Sequence, residues 1–250
     1  MKGGGDLSGR TALVTGSSRN IGRAIALELA RAGAAVMVNA RTSAAEAEAV
    51  ASEIRQAGGH AASKVADVAD PGAVAALVAA TVESFGRLDI LVNNASVRRE
   101  IDFANLDYQE WRGILATTLD GAYLCSHAAL PHLMRSGNGA IVNIGGLSAH
   151  TGAARRAHVI AAKAGLVGLT RALAHDLAPH SITVNCVAPG LIDTRRGSTG
   201  QPAHHALHAP LAGRLGKPEE IGALVRFLCG PEARYITGQT IHANGGVLMA

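Results

Sequence analysis

The stretch TALVTGSSRNIG, residues 11–22, decides the fold class. It opens with aliphatic and β-branched residues, as in a buried strand, and its glycines permit a tight turn into the Ala- and Leu-rich segment that follows. Backbone N–H groups and the dipole at the start of such a helix can hold a phosphate group. The stretch therefore predicts a strand, a phosphate-binding turn and a helix, and an ordinary strand-to-helix turn is the alternative.

The same alternation of short aliphatic runs with longer Ala- and Leu-rich stretches continues to the end of the chain. The predicted strands are residues 11–15, 34–40, 60–67, 89–95, 139–144, 181–187 and 239–243. The predicted helices lie near residues 20–32, 43–57, 71–85, 107–135, 152–178 and 218–229. This alternation predicts a doubly wound parallel sheet of seven strands, a Rossmann-type α/β fold with three αβα layers and the strand order 3-2-1-4-5-6-7. We expect one domain over residues 1–250, with a mobile lid at about 194–210, where apolar periodicity is lost.

Composition narrows the function classes. Hydrophobic residues make up 48% of the 250 residues and charged residues 17%, which excludes a disordered chain. The formal net charge of +4 is spread along the sequence, so nucleic acid is not expected as a ligand. A small molecule is expected instead, and the positive charge favours an anionic one. No apolar segment has the length of a membrane span, and no signal-peptide pattern is visible, so a cytoplasmic protein is expected.

Cysteine and histidine positions do not predict a disulfide or a metal site. The sequence has three cysteines, Cys125, Cys186 and Cys229, which are widely separated and lack C-x-x-C spacing. His204, His205 and His208 have spacing that suits metal ligation on a helix, but no acidic ligand accompanies them. We therefore expect reduced thiols and no bound metal.

The residues after the second predicted strand indicate which dinucleotide binds. That strand ends in Asn39, Ala40 and Arg41, without the acidic residue that accepts from a free ribose 2′-hydroxyl. Arg41, together with Arg19 in the glycine-rich turn, can instead pair with a 2′-phosphate. NADP(H) is therefore favoured over NAD(H), and the alternative is that Arg41 caps a solvated loop.

Several motifs together resemble the classical short-chain dehydrogenases/reductases, and among them the 3-oxoacyl-acyl carrier protein reductases, from about residue 8 to 248. The motifs are TGSSRNIG at 15–22, Asp67-Val68, NNAS at 93–96, Lys163 within AAKAGLVGLTRALAHDLA, CVAPGLIDT at 186–194 and the stretch 213–246. The resemblance implies a cofactor site formed by Gly16, Ser18, Arg19, Asn20, Ile21, Gly22, Arg41, Asp67, Val68, Asn93, Ala95, Lys163, Pro189, Gly190, Ile192 and Thr194.

The resemblance also implies which part of the cofactor each group contacts. Asp67 and Val68 are expected at the adenine, and Asn93 and Ala95 at the adjoining sugar and phosphate. The nicotinamide carboxamide is expected to contact Pro189, Gly190, Ile192 and Thr194. Asn20 stands where the family has a glycine, and asparagine tolerates a left-handed backbone better than most residues.

The catalytic positions of the family are mostly replaced in this chain. The resemblance implies a Tyr acid, a Ser hydroxyl, a Lys that lowers the pKa of the Tyr, and an Asn that holds a water relay. Only Lys163 is retained, because Val159 occupies the Tyr position, Gly146 the Ser position and Thr118 the Asn position. A general acid contributes ~10²–10⁴ in rate and one oxyanion donor ~10²–10³, so a routine ketoreductase mechanism cannot be carried over.

Nearby polar residues are candidates for the missing chemistry. Ser148 or Thr118 could supply a hydroxyl group. Arg98 or Arg155 could recognise an anionic substrate. Each has a structural alternative, which is a turn residue for Ser148 and a solvated or ion-paired surface position for the two arginines.

These patterns favour an NADP(H)-dependent oxidoreductase of the short-chain dehydrogenase/reductase type, with an atypical active site and an unidentified substrate. Two alternatives stay open. One is a catalytically inactive NADP(H)-binding relative that acts as a partner or sensor, and the other is a lyase or hydratase on the same scaffold. The resemblance implies a homotetramer, and a hetero-oligomer with an active paralogue goes with the inactive alternative.

Overall fold

A computed structural model describes residues 6–194 and 209–249 of the chain. Its centre is a sheet of seven strands: β1 Thr11–Val14, β2 Ala35–Ala40, β3 Ala61–Val65, β4 Ile90–Asn93, β5 Ala140–Ile144, β6 Thr183–Pro189 and β7 Thr240–Ala243. All neighbouring strands pair in parallel, in the order β3-β2-β1-β4-β5-β6-β7. The predicted fold class and strand order are therefore confirmed.

The helices are α1 Asn20–Arg31, α2 Ala44–Gln56, α3 Pro71–Phe85, α4 Tyr108–Leu115, α5 Gly121–Ser136, α6 Ser148–Thr151, α7 Ala157–Leu177 and α8 Pro218–Cys229. The single helix predicted at 107–135 is instead α4 and α5, joined by a π-helical turn at Ala116–Asp120. The helix predicted from 152 begins only at Ala157. Gly152 and Arg155 have φ angles of 75° and 62°, and these left-handed values interrupt a right-handed helix.

Both faces of the sheet are buried, which explains why its strands read as apolar runs without polar alternation. Successive strand residues point to opposite faces. Val14 of β1 belongs to one buried cluster with Ile25 of α1 and Val225 of α8. Leu13 belongs to a second cluster with Leu77 of α3. β1 is thus held from both sides, and this fixes the position of the turn that follows it.

One helical stretch of the described residues, Ala157–His180, is long and apolar enough to cross a membrane by length and composition alone. It consists of α7 and the short 3₁₀ turn after it. α7 packs against β6 and carries a buried lysine, Lys163. These are the contacts of a core helix.

The carboxyl ends of β1 and β4 meet where the order of the sheet reverses. The chain continues from β1 to β2 on one side, whereas β4 lies on the other side of β1. The segments that follow β1 and β4 therefore diverge and leave a crevice at this edge of the sheet. In open α/β sheets, ligands bind in this crevice.

Candidate active site

The crevice is a cleft of about 620 Å³. Its walls come from the turn between β1 and α1, the end of β2 and the segment after it, the segments after β3 and β4, Thr117 of the π-helical turn, and one residue after β6. The residues predicted for the cofactor that line it are Gly16, Ser18, Arg19, Asn20, Ile21, Gly22, Arg41, Asp67, Val68, Ala95 and Thr194. The cleft therefore brings together residues that are far apart in sequence, and its volume suits a dinucleotide.

The glycine-rich turn is closely packed against the loop after β4. A Cβ atom on Gly22 would lie 2.4 Å from the carbonyl oxygen of Gly16 and 2.5 Å from Nδ2 of Asn94. Gly16 has a φ angle of 60°, and its Cβ would lie 2.9 Å from Cα of Ala95. Asn20 has a φ angle of 49°, so it adopts the left-handed conformation for which asparagine is suited. The turn needs glycine at both close contacts.

Two asparagine side chains hold this turn in place. Nδ2 of Asn94 donates hydrogen bonds to the carbonyl oxygens of Thr15, at 2.9 Å, and Gly16, at 2.8 Å. Oδ1 of Asn39, at the end of β2, accepts a hydrogen bond from the Gly16 N–H at 3.1 Å. Both asparagines also line the cleft, and neither was among the predicted site residues.

The prediction for Asn93 is corrected by the structure. Asn93 does not line the cleft but is buried beneath it, where Nδ2 donates to Oδ1 of Asn143 at 2.8 Å and to Ser126 Oγ at 3.2 Å. Asn143 in turn donates to Thr170 Oγ1 at 2.9 Å. Because successive strand residues point to opposite faces, Asn94 and not Asn93 reaches the cleft. Asn93 therefore links β4, β5, α5 and α7 under the site.

We expect the substitution Asn143→Ala to lower the free energy of unfolding by about 1–3 kcal/mol. The amide of Asn93 would lose its buried acceptor, and a buried unsatisfied polar group costs about this much. Urea denaturation measures the change, with the exposed Asn105→Ala as control. A loss no larger than that of the control would contradict a stabilising role for this buried network.

A second, smaller cavity of about 40 Å³ adjoins the cleft, since Ile21 and Arg98 line both. Its other walls are the segment from Gly145 to Gly152, the start of α7 and the end of β6. The predicted carboxamide-binding residues that line it are Pro189, Gly190 and Ile192. A Cβ on Gly190 would lie 2.5 Å from Cα of Asn244, so this wall also requires glycine.

Lys163 projects from α7 into this inner cavity. It is only 4% exposed, and its Nζ donates a hydrogen bond to the carbonyl oxygen of Ile144 at the end of β5. Burial lowers the pKa of Lys163 to about 7, and the positive charges of Arg98 and Arg156 act in the same direction. The Cys186 thiol opposes them. Lys163 can therefore gain or lose a proton near neutral pH.

The three positions at which the family resemblance implies a catalytic Tyr, Ser and Asn have different surroundings. Val159 is 2% exposed, packs with Ile114 of α4 and lines the inner cavity. Gly146 lines the same cavity, and a Cβ on it would have no atom within 4 Å. Thr118 lies in the π-helical turn with its Oγ1 3.2 Å from Oγ of Ser96, and it is not among the described residues that line either cavity.

Ser148 is the hydroxyl group best placed to contact a ligand in the inner cavity. It is the first residue of the short helix α6, is half-buried and lines the cavity. Thr151 also lines the cavity, but its Oγ1 donates to the carbonyl oxygen of Gly152 at 3.1 Å. Ser148 therefore lines the same cavity as Lys163, and its catalytic role stays a prediction.

The arginine positions differ from the prediction in one case. Arg98 lines both cavities, as expected for a residue near the substrate. Arg155 points away to the surface, where its Nε lies 3.1 Å from Oδ1 of Asp102. Its neighbour Arg156 is 5% exposed and lines the inner cavity. The left-handed backbone at Arg155 turns these two side chains in different directions.

Part of the prediction falls on residues that the structure does not describe. Within the predicted lid, residues 195–208, which include His204, His205 and His208, lie outside the described residues. Among the residues that are described, no group of three or more His, Cys, Asp or Glu side chains could hold a metal ion. The three cysteines are buried free thiols.

The strand order and the position of the cleft place the chain in the class of Rossmann-type dinucleotide-binding proteins. A family model described as enoyl-(acyl carrier protein) reductase matches residues 16–248. The chain belongs to the short-chain dehydrogenase/reductase family of oxidoreductases, whose members bind a nicotinamide cofactor.

Similar proteins are found among both curated sequences and solved structures. The 3-oxoacyl-(acyl-carrier-protein) reductase FabG of Staphylococcus aureus is 42% identical over 243 residues, covering 96% of this chain and 98% of the relative. A dehydrogenase/reductase from Sinorhizobium meliloti is 38% identical, with a TM-score of 0.92 and coverage of 97% and 96%. A short-chain dehydrogenase from Burkholderia cenocepacia, solved in complex with NADP, is 40% identical, with a TM-score of 0.90 and coverage of 97% and 99%.

Proposed function

We propose that the protein is an NADP(H)-dependent oxidoreductase whose active site works without the usual tyrosine and serine. The observation that carries the proposal is the continuity of the two cavities. The outer cleft has the close-packed glycine turn of a dinucleotide site, and the inner cavity contains Lys163 beside Val159 and Gly146. Cofactor binding is therefore supported, whereas the proton-transfer groups differ from those that the family resemblance implies.

The cleft fits a nicotinamide dinucleotide with a 2′-phosphate. Gly16 and Gly22 leave a cradle that a Cβ atom would fill, and the N-terminus of α1 opens onto it. Arg41 and Arg19 are exposed side chains in the wall of the cleft. A guanidinium group is suited to bidentate binding of phosphate, so these residues favour NADP(H). The Burkholderia cenocepacia relative in complex with NADP supports the same choice.

The inner cavity can supply a proton and a hydrogen bond to a reacting oxygen. When bound, NADPH supplies a hydride to the substrate. Lys163, with a pKa of about 7, can donate a proton to an oxygen on which negative charge develops. Ser148 lines the same cavity and can donate a hydrogen bond to that oxygen. Val159 contributes an apolar wall and no proton.

An inactive NADP(H)-binding protein, acting as a partner or sensor, is the second candidate. The packing of Val159 with Ile114 and Ala162 favours it, because the Tyr position is here part of a small apolar cluster. Fluorescence titration with NADPH and NADH, followed by a panel of ketones, quinones and enones, separates the candidates. Binding with turnover supports the oxidoreductase, and binding without any turnover supports the inactive protein. If neither cofactor binds, both candidate functions are contradicted and a lyase or hydratase is favoured.

We expect Arg41→Ala to weaken NADPH binding by about 10- to 100-fold, because charge-assisted hydrogen bonds to a phosphate contribute about 1.5–3 kcal/mol. NADH lacks the 2′-phosphate, so its dissociation constant should stay within about twofold. Fluorescence titration of both cofactors measures the two effects. Arg31→Ala, an exposed arginine at the other end of α1, is the control. Equal weakening of NADPH and NADH would contradict the phosphate assignment.

We also propose that the chain assembles as a homotetramer. Two large aromatic side chains on the outer helices support an interface there, since Tyr108 of α4 is 76% exposed and Tyr123 of α5 is 52% exposed. Size-exclusion chromatography with multi-angle light scattering tests the assembly of the purified protein. A monomer at micromolar concentration would contradict it.

A further inference from the structure

Three basic side chains line the inner cavity. The described residues that line it include Arg98, Arg156 and Lys163, and none of these lining residues is an aspartate or glutamate. Both arginines act electrostatically on Lys163, which shows that the three positive groups surround one space. Charges of one sign lining a cleft with apolar walls raise the local concentration of the opposite ion.

Arg156, the second arginine of this cavity, is buried at the N-terminus of α7. It is 5% exposed and is the N-cap residue of α7, a helix of 21 residues. The N-terminus of a helix carries a partial positive charge, so a cation at this position is unfavourable and an anion is favourable. A guanidinium group also keeps its charge when buried. The arginine and the helix terminus thus both favour an anion at the same end of the cavity.

We propose that Arg98 and Arg156 bind the carboxylate of a small 2-oxo acid and hold its carbonyl carbon at the nicotinamide end of the cleft. Arg98 lines both cavities and so lies where the substrate meets the cofactor. The planar fork of a guanidinium group matches the two oxygens of a carboxylate. The inner cavity is small, about 40 Å³, which favours a short acid over a long one.

The replaced catalytic residues fit this substrate class. A carboxylate whose charge is compensated by arginine withdraws electrons from the neighbouring carbonyl, and so the carbonyl carbon accepts hydride with less help from an acid. The redox step rests on the proposed function, whereas the carboxylate site does not. The carbonyl carbon accepts a hydride from NADPH and forms a C–H bond. The π electrons of the C=O bond move to oxygen, which takes a proton from Lys163, giving a 2-hydroxy acid and NADP⁺.

Oxalate is a probe for the carboxylate site that cannot be reduced here. We expect isothermal titration calorimetry to show oxalate binding to the protein, both alone and saturated with NADP⁺. Arg98→Gln and Arg156→Gln should each weaken it at least tenfold. Arg155→Gln is the matched control, because Arg155 is paired with Asp102 outside the cavity. The affinity of this variant for oxalate should stay within about twofold of that of the native protein.

Several results would overturn the carboxylate site. They are the absence of oxalate binding, equal affinity in the native protein and Arg98→Gln, and binding of neutral oxamide or of inorganic phosphate as tight as that of oxalate. Arg98 is exposed, so its substitution keeps the test informative even if Arg156→Gln does not fold. Circular dichroism of each variant establishes folding.

Turnover is tested separately with pyruvate and methyl pyruvate, followed by NADPH fluorescence. We expect kcat/KM for pyruvate to exceed that for its ester, and to fall at least tenfold in Arg98→Gln but not in Arg155→Gln. If the native protein binds NADPH and oxalate but the ester reacts as well as the acid, the 2-oxo acid assignment is wrong. Failure to bind NADPH would instead contradict the proposed function, and oxalate binding would still decide the carboxylate site.

Discussion

The double variant Val159→Tyr/Gly146→Ser is expected to reduce simple ketones with NADPH at least about 100-fold faster than the native protein. A positioned general acid contributes ~10²–10⁴ in rate, and a hydrogen-bond donor to the oxyanion contributes ~10²–10³. The native inner cavity has an aliphatic side chain and a bare backbone at these two positions. The variant introduces a phenol and a hydroxyl group while leaving Lys163 in place.

The structure gives a physical reason to expect both side chains at the inner cavity. A Cβ atom at Gly146 would have no atom within 4 Å, so a side chain can be added there without a clash at its first atom. Val159 lies four positions before Lys163 on α7, and residues with this spacing share one face of a helix. A tyrosine at 159 therefore extends into the cavity beside the lysine that would lower its pKa.

The appropriate control is Val159→Phe/Gly146→Ala, which adds similar volume without the hydroxyl groups. Overpacking costs about 1–3 kcal/mol of stability in either variant, so activities should be compared at equal folded fractions. Steady-state NADPH oxidation measures the rates. Equal activity of the Tyr/Ser and Phe/Ala variants would mean that missing hydroxyl groups do not limit carbonyl reduction at this site.

The second large effect is expected on the pH dependence of stability, in Lys163→Met. Between pH 7.5 and 9, the free energy of unfolding of the native protein should rise by about 2 kcal/mol relative to that of the variant. Methionine fills a similar volume but cannot be protonated. Chemical denaturation of both proteins at pH 6, 7.5 and 9 measures the difference.

The direction of this change in stability with pH follows from the number of protons bound by the folded and the unfolded chain. The folded pKa of Lys163 is about 7, whereas in the unfolded chain it returns to the ordinary lysine value near 10.4. Between these values the unfolded chain binds more protons, so stability increases as the pH rises. Below the folded pKa both states are protonated and the slope disappears. Burial of the charged lysine is therefore most unfavourable at acidic pH.

The comparison with the variant separates Lys163 from titrating groups that do not interact with it. Burial raises the pKa of the Cys125 and Cys229 thiols to about 12, and these groups titrate equally in both proteins. Parallel stability profiles for the native protein and Lys163→Met between pH 7.5 and 9 would contradict a lowered lysine pKa. Loss of the hydrogen bond to Ile144 affects the variant at every pH and leaves the slope unchanged.

The sequence predicted the strands and the cleft well because both depend on local patterns. Each strand is a β-branched or aliphatic run between turn residues, and the glycine-rich turn directly follows the first of them. The assignment of Asn93 to the cofactor site was wrong because the motif contains two adjacent asparagines, and the sequence does not show which of them faces the cleft. The register of β4 decides this, since Asn93 bonds to Asn143 whereas Asn94 reaches Gly16.

The choice between Arg155 and Arg156 depended on backbone geometry that the sequence does not reveal. A φ angle of 62° at an arginine has no local signal, because glycine or asparagine usually occupies such positions. The π-helical turn at Ala116–Asp120 is equally hidden, since α4 and α5 continue one helical pattern on either side of it. Tertiary packing determines both features.

The two cavities have a shared wall at Ile21 and Arg98, so a ligand in one cavity can alter the binding of a ligand in the other. Any factor by which a bound nucleotide changes the affinity for oxalate must equal the factor by which oxalate changes the affinity for the nucleotide. Arg98 borders both spaces, so its substitution should bring this reciprocal coupling closer to unity. One side chain would then act as the thermodynamic link between the two compartments.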